Sequence, residues 1–169
     1  MVSFDIRDDV LKRIEGEVDV FSQEIYIPEG VKIIDEYASD YLKRKKIFFN
    51  VHLPSSLQVI KAHAFKNSMV EEIILPKMNR LSEIGDEAFA ASELRSFPFE
   101  RAKHLYDIGK SSFACTNLSK IDLFNTKIEM IDDACFFNLK GTDDVEVILS
   151  PITEMICRGA FADSRVVVK

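Results

Sequence analysis

The chain has 169 residues, of which 47% are hydrophobic and 30% are charged, and its formal net charge is −6. This length suits one domain that can bury a sizeable core. The negative charge disfavours a general affinity for nucleic acid or anionic lipid, because both attract basic surfaces. No apolar run approaches the length that crosses a bilayer. Residues 1–13 lack the apolar core of a secretion signal, which favours a cytoplasmic location, with a cell-surface or secreted location open if the natural chain is longer.

The first element along the chain is predicted to be a short amphipathic helix over residues 5–14. Its apolar positions fall at helical spacing: Ile6, Val10, Leu11 and Ile14. Gly16 is a suitable stop. We assign residues 1–24 to an N-terminal cap, because the first coil of a stacked repeat exposes an apolar end that must be covered. Membrane attachment is the alternative, but the polar face of this helix is acidic.

From residue 25 to residue 169 the chain repeats variants of the hexamer Ile84–Phe89. The last position of the hexamer recurs in steps of 26, 24, 24, 23 and 25 residues: Ser39, Phe65, Phe89, Phe113, Phe136 and Phe161. A fixed period in this range is typical of a solenoid in which each copy forms one coil. We therefore expect about six coils, with the recurring ring filling the interior.

A second recurring feature is an apolar strand with the pattern Φ-x-x-Φ-x-Φ, often followed by proline. Copies or parts of it occupy 25–28, 48–54, 70–76, 94–99, 118–123 and 147–149. Period-two alternation buries every second side chain, and equivalent strands of successive coils are expected to pair in parallel. Another apolar column precedes each hexamer, as in Leu81 and Ile84. Pro98 lies inside one strand copy and predicts a local break or bulge, because proline lacks the N–H donor.

The combination of I-x-x-x-A-F with L-x-x-I-x-L-P resembles the BspA-like leucine-rich repeats, roughly from Ile25 to Val168. The resemblance implies an α/β leucine-rich-repeat solenoid, a curved right-handed stack forming a single domain over 1–169. It implies a parallel sheet on the concave face and short helical or irregular turns on the convex face. It also implies a non-catalytic protein–protein interaction module. The alternative is a secreted or cell-surface adhesin domain for host or matrix contact.

The outward positions of the strands are predicted to form the partner-binding face. They stack into one column: Tyr26, His52, Ile74, Pro98, Asp122 and Ile148. The neighbouring column is polar: Glu24, Asn50, Glu72, Ser96, Lys120 and Glu146. Apolar and aromatic residues on a polar face indicate a recognition surface. The alternative stays open that Ile74 and Ile148 are only good strand formers on a solvated sheet.

Two coils are longer than the others and are expected to carry extra loops on the same side of the solenoid. The first contains the basic run 43–46, and the second contains 141–144. The basic run could be a nuclear address or a phosphate contact. A solvated helical face fits better, because the surrounding chain is acidic.

The C-terminal residues Val166, Val167 and Val168 predict an apolar strand with an open edge. Such an edge can pair with another chain, so a homodimer through the C-terminal coil is one expectation. A last coil that folds back on itself, or a chain that is a piece of a longer protein, are the alternatives.

No pattern of catalytic residues is visible. There is no glycine-rich phosphate loop, no H-E-x-x-H and no convergent Ser/His/Asp set. The cysteines form no C-x-x-C pair, and the histidines occupy different positions of the repeat: His52, His63 and His104. Cys135 replaces the buried alanine of the hexamer, so it is predicted to be a small core residue. We expect no enzyme, no cofactor and no metal.

Overall fold

The computed structural model describes residues 1–141 and 143–169, which wind into a β-solenoid of about seven turns. The strands are β1 (Val2–Arg7), β2 (Val10–Gly16), β3 (Glu24–Tyr26), β4 (Ile33–Ile34), β5 (Phe49–His52), β6 (Val59–Ile60), β7 (Val70–Ile74), β8 (Glu83–Ile84), β9 (Asp107–Ile108), β10 (Lys120–Asp122), β11 (Met130–Ile131), β12 (Val145–Ile148), β13 (Met155–Ile156) and β14 (Val166–Val168). In the described ranges, helix is confined to α1 (Asp40–Lys43) and a 3₁₀ turn at Phe99–Arg101. The predicted solenoid is confirmed.

The N-terminal cap is a β-hairpin, and the helix predicted over residues 5–14 is wrong. β1 and β2 pair antiparallel and are joined at Asp8 and Asp9, whose φ angles are 50° and 65°. Two consecutive residues with positive φ are typical of the tight turns that match the twist of a hairpin. β2 then pairs in parallel with β4. The hairpin therefore continues a sheet of the solenoid and covers its first turn.

A bulge explains why the cap resembled a helix in sequence. Lys12 has no partner on β1, because the residues on either side of it pair with the consecutive residues Asp5 and Ile6. The extra residue shifts the alternation of side chains along β2 by one position. Two inward-pointing side chains can therefore be three residues apart, instead of two or four. Leu11 and Ile14 are consequently both fully buried. Their spacing is that of a helix, although the backbone is extended.

The solenoid has two sheet faces. The long-strand face consists of β3-β5-β7 and β10-β12-β14, and all of its neighbouring strands are parallel. The short-strand face consists of β2-β4-β6-β8-β9 and β11-β13, in which most strands have two residues. These short strands arise from the apolar column before each hexamer. Five of them bury one residue each (Ile34, Ile60, Ile84, Ile108 and Ile131), whereas both residues of β13 are exposed. Sequence reasoning predicted the long-strand face alone.

The phenylalanines of the hexamer form a continuous stack inside the solenoid, as predicted. Neighbouring rings have centroids 5.2–5.5 Å apart and planes within 13° of parallel: Phe65, Phe89, Phe113, Phe136 and Phe161. In the first hexamer, Ser39 replaces the ring and donates its hydroxyl to the carbonyl oxygen of Ala64 at 2.8 Å. This hydrogen bond satisfies a buried polar group at the end of the stack.

The long-strand face is interrupted at the turn that contains Pro98, which confirms the predicted break. A single bridge, from Glu72 to Ser96, connects β7 with this turn, and the chain then enters the 3₁₀ turn. The missing N–H of proline removes a donor that a continuous ladder needs. Phe97 and Phe99 are nevertheless buried beside the ring stack. The core therefore continues across the break.

The basic run 43–46 begins at the last residue of α1, so most of it is not helical. Lys43 pairs with Asp40. The ammonium group of Lys43 lies 5.9 Å from the ring centroid of Tyr37, and that of Lys45 lies 5.6 Å from the ring centroid of Tyr41. Local contacts within this segment therefore engage part of the charge. The second predicted insertion, 141–144, includes Thr142, which lies outside the described residues.

Candidate partner-binding face

The predicted outward column lies on the long-strand face in two groups. Tyr26 pairs in register with His52, and His52 pairs with Ile74. Beyond the interrupted turn, Asp122 pairs with Ile148. The structure brings the members of each group together, because parallel strands in register align equivalent residues of consecutive turns. The break separates the two groups.

The N-terminal group is built around an exposed aromatic stack. Tyr26 is 64% exposed, and its ring lies on that of His52 with centroids 4.1 Å apart and planes at 13°. Nε2 of His52 is 2.7 Å from Oε2 of Glu24. The amide of Asn50 donates to Oε1 of the same carboxylate at 2.9 Å. These contacts fix the imidazole, so the tyrosine ring rests on an already ordered support.

An open cavity of about 520 Å³ adjoins Tyr26 between the N-terminal hairpin and β3. Phe4, Val18 and Val20 supply apolar walls, and three carboxylates are also among its lining groups: Glu17, Asp19 and Glu24. Phe21, which follows Val20, is almost fully exposed. Sequence reasoning assigned these residues to the cap and missed their contribution to the exposed apolar surface.

The C-terminal group is more polar than the N-terminal group. The carboxylate of Asp122 is 2.9 Å from the ammonium of Lys120 on the same strand, and Ile148 is half-buried. On the neighbouring turn, Lys169 pairs with Glu146 at 2.6 Å. Intrachain ion pairs of this kind leave fewer groups for a partner. The exposed aromatic surface of the long-strand face therefore lies in the N-terminal group.

The polar column beside the outward column also follows the predicted register. Glu24 pairs with Asn50, Asn50 with Glu72, and Glu72 with Ser96. Polar groups of this kind form the rim of many protein interfaces, around a less polar centre.

The thiol of Cys135 lies in the core, as predicted. Cys135 is fully buried, and burial raises the pKa of its thiol to about 12, so the nucleophilic thiolate is disfavoured. Its sulfur lies 3.4 Å from the hydroxyl of Ser112. Within 1–141 and 143–169, no three His, Cys, Asp or Glu residues are grouped so as to hold a metal ion.

The same described ranges contain no helix that is both long and apolar enough to cross a membrane. A search of curated proteins gave no match. Among solved structures, the chain is similar to a leucine-rich repeat protein from Bacteroides ovatus, with 15% sequence identity and a TM-score of 0.40. That alignment covers 93% of this chain and 51% of the other, so the chain spans about half of that protein's length.

The family comparison agrees with the repeat pattern and with the architecture. Residues 42–167 match the BspA type leucine rich repeat region in six copies. These copies cover the described strands β5 to β13 and most of β14. The chain therefore belongs to the BspA-type leucine-rich-repeat family.

Proposed function

We propose that this chain is a non-catalytic protein–protein interaction module that binds a protein partner through the long-strand face. Leucine-rich-repeat domains of this family suggest an interaction or adhesion role. The observation that carries the proposal is the exposed ring of Tyr26, held on His52 by the contacts of Glu24 and Asn50. Membership of the family does not identify the binding residues, so their assignment to this face is part of the proposal.

The arrangement suits recognition for two physical reasons. Tyrosine supplies a large contact area with little side-chain entropy to lose, and it is enriched among the residues that dominate interface energy. Parallel strands and the internal ring stack fix the backbone beneath the face, so a partner meets a surface that needs little reordering. Ile74 adds an apolar side chain to the outward column next to His52, and the polar column provides a rim. The cavity beside Tyr26 offers room for a projecting side chain of the partner.

The test is affinity capture from the native cell and its surroundings with two double variants. Tyr26→Ala with Ile74→Glu removes the exposed tyrosine ring and places a negative charge in the outward column. Tyr41→Ala with Met130→Glu makes the same changes at exposed residues on α1 and β11, away from the long-strand face. We expect the first variant to lose the captured partner and the second to keep it, while both melt close to the wild-type temperature. Equal capture by wild type and both variants would overturn the proposal.

The identity of the captured protein also separates an intracellular module from an adhesin. A partner from the same cytoplasm supports the cytoplasmic location, whereas a host or matrix protein supports the cell-surface alternative. Both roles use the same face, so the variants are informative in either case.

We also propose that β14 mediates a homodimer. β14 is at the edge of its sheet, and Val167 and Val168 are 44% and 55% exposed. One edge of β14 pairs with β12, and no described strand pairs with the other edge, where a strand from a second copy would add. A contact between the β14 edges of two copies uses the same surface of each chain, so it is isologous and closes at two copies.

A further inference from the structure

Lysine, arginine and histidine side chains gather on the turns that lead from the long-strand face to the short-strand face in the middle of the solenoid. They line two neighbouring open cavities of about 430 and 470 Å³, which share Arg80 and His104. We call this group the basic cluster: Lys77, Arg80, Arg101, Lys103, His104 and Lys127. The cluster lies apart from the basic run 43–46, and none of its residues belongs to the outward column.

Few carboxylates lie beside the basic cluster: Glu29 accepts from Ser55, Glu83 accepts from the hydroxyl of Tyr106, and Glu100 lies at the cluster's edge beside Arg101. No carboxylate of the described residues lines either cavity. The nearest ion pair is weak, with Nε of Arg101 at 3.9 Å from Glu100, and the same guanidinium donates to the carbonyl oxygen of Leu75. Several lysines elsewhere are paired with carboxylates, as Lys12 is with Asp35 at 2.8 Å. The cluster is therefore a local excess of positive charge on a chain of net charge −6.

Exposed apolar side chains lie among these cations. Met78 is 83% exposed and lines the first cavity, and Tyr106 is 53% exposed and lines the second. Asn79 and Ser82 add polar groups between them. Arginine, tyrosine and methionine are the residue types that protein interfaces enrich. A surface for small ions alone would not need the exposed apolar groups.

We propose that the basic cluster binds an acidic segment of a protein partner in which carboxylates alternate with apolar side chains. Arg80 and Arg101 present planar guanidinium groups that suit carboxylates, because each can donate two parallel hydrogen bonds. Lys77, Lys103 and Lys127 add point charges around them. The apolar side chains of the segment pack on Met78 and Tyr106.

The size of the charged region favours a short acidic segment over a nucleic acid. A long polyanion extends beyond the cluster and meets the repulsion of a protein whose net charge is −6. A short segment senses mainly charges within a Debye length, about 8–10 Å at physiological salt. Five Lys and Arg side chains line the two cavities, and three carboxylates contact lining residues: Glu29, Glu83 and Glu100.

The probe is a fluorescein-labelled synthetic peptide of about 12 residues with alternating Glu and Leu, long enough to span two small cavities. Its binding is measured by fluorescence polarisation at low and at high salt. Arg80→Glu with Lys103→Glu reverses two charges of the cluster. Lys110→Glu with Lys140→Glu makes the same change in net charge at two exposed lysines outside it. Circular dichroism melting verifies that both variants fold.

We expect the cluster variant to bind the peptide at least ~10-fold more weakly than wild type at low salt, and the control variant to stay within ~2-fold, because short-range charge contacts dominate. A peptide with Lys in place of Glu should not bind. Equal weakening in both variants would overturn the proposal, because it would reflect net charge alone. Tighter binding of a single-stranded DNA oligonucleotide with the same number of charges would also overturn it.

The outcome is separate from that of the long-strand face. The variant carrying Tyr26→Ala and Ile74→Glu should bind the acidic peptide like wild type, because neither residue lines the two cavities. Loss of peptide binding in that variant would place the peptide on the long-strand face and contradict the assignment to the basic cluster.

Discussion

Phe65 and Phe89 stack face to face, with ring centroids 5.3 Å apart and planes 4° apart. They occupy the last position of consecutive hexamers, so rings that are one repeat apart in the sequence are in direct contact between neighbouring turns. Phe89 also stacks on Phe113 at 5.2 Å and meets the edge of Phe97 at 5.7 Å. The Phe89 ring thus contacts the turns before and after its own and reaches the interior side of the interrupted strand.

Phe89→Ala should lower the free energy of unfolding by about 3–5 kcal/mol, because it deletes a fully buried ring and leaves a cavity in the stack. Phe89→Leu should cost less, since it keeps part of the volume. Urea unfolding followed by circular dichroism measures both. A loss below about 1 kcal/mol for the alanine variant, typical of a surface change, would contradict the role of the stack.

Asp35 should make stability depend on pH on the acid side. Hydrogen bonds from Lys12 and Lys61, each 2.8 Å long, lower the pKa of this carboxyl to about 2. A carboxyl whose pKa is lower in the folded state stabilises the fold above its unfolded pKa, near 4, and that stabilisation is lost as pH falls toward 2. Asp35→Asn should therefore cost about 1 kcal/mol at neutral pH, allowing for screening of the exposed lysines.

The measurement for Asp35 is the free energy of unfolding of wild type and Asp35→Asn between about pH 7 and pH 2, the range that spans both pKa values. The difference between the two proteins should be constant down to about pH 4 and then shrink. A difference that stays constant to the lowest pH would show that the ion pairs contribute nothing.

Gly85 is required by the close approach of two turns. A β-carbon at this position would lie 2.5 Å from the backbone nitrogen of Ala62 and 2.9 Å from the carbonyl carbon of Lys61. Backbone atoms cannot rotate away, so Gly85→Ala should destabilise the fold by about 1–3 kcal/mol. Gly141→Ala is the matched control, because its nearest neighbours are 3.9 Å away. Equal melting temperatures of the two variants would contradict this packing.

The C-terminal edge is tested by molar mass in solution. At high concentration, multi-angle light scattering should give about twice the chain mass of 19.3 kDa. Val167→Lys with Val168→Lys should return the mass to that of one chain, because charged side chains on an edge strand oppose pairing with another strand. A monomeric wild type, or a variant that remains dimeric, would remove β14 as the dimer contact.

The solenoid was predictable from the sequence because each turn is formed by the same local pattern, one buried position at the end of the hexamer and one apolar strand. The hairpin was missed because the bulge at Lys12 gives Leu11 and Ile14 a helical spacing. The short-strand face was missed because two residues are too few to show the period-two alternation of a strand.

The binding surface was predictable only in part. Register alone placed Tyr26 beside His52, but the stacking of their rings and the anchoring by Glu24 depend on side-chain conformation. The basic cluster escaped notice because its members are scattered along the chain. Three pairs are each separated by 24 residues, one repeat length: Lys77 and Arg101, Arg80 and His104, Lys103 and Lys127. Aligning Lys, Arg and His residues to the repeat, instead of searching for basic runs, would have revealed it.

The central claim, recognition of a protein partner by the long-strand face, is tested most directly by site-specific photo-cross-linking. Benzoylphenylalanine replaces one of two residues. The first is Ile74 on β7, whose neighbour on β5 is His52, and the second is Met130, which is exposed on the short-strand face. We expect a covalent adduct with the partner from position 74 and none from position 130. An adduct from position 130 with none from position 74 would contradict the claim.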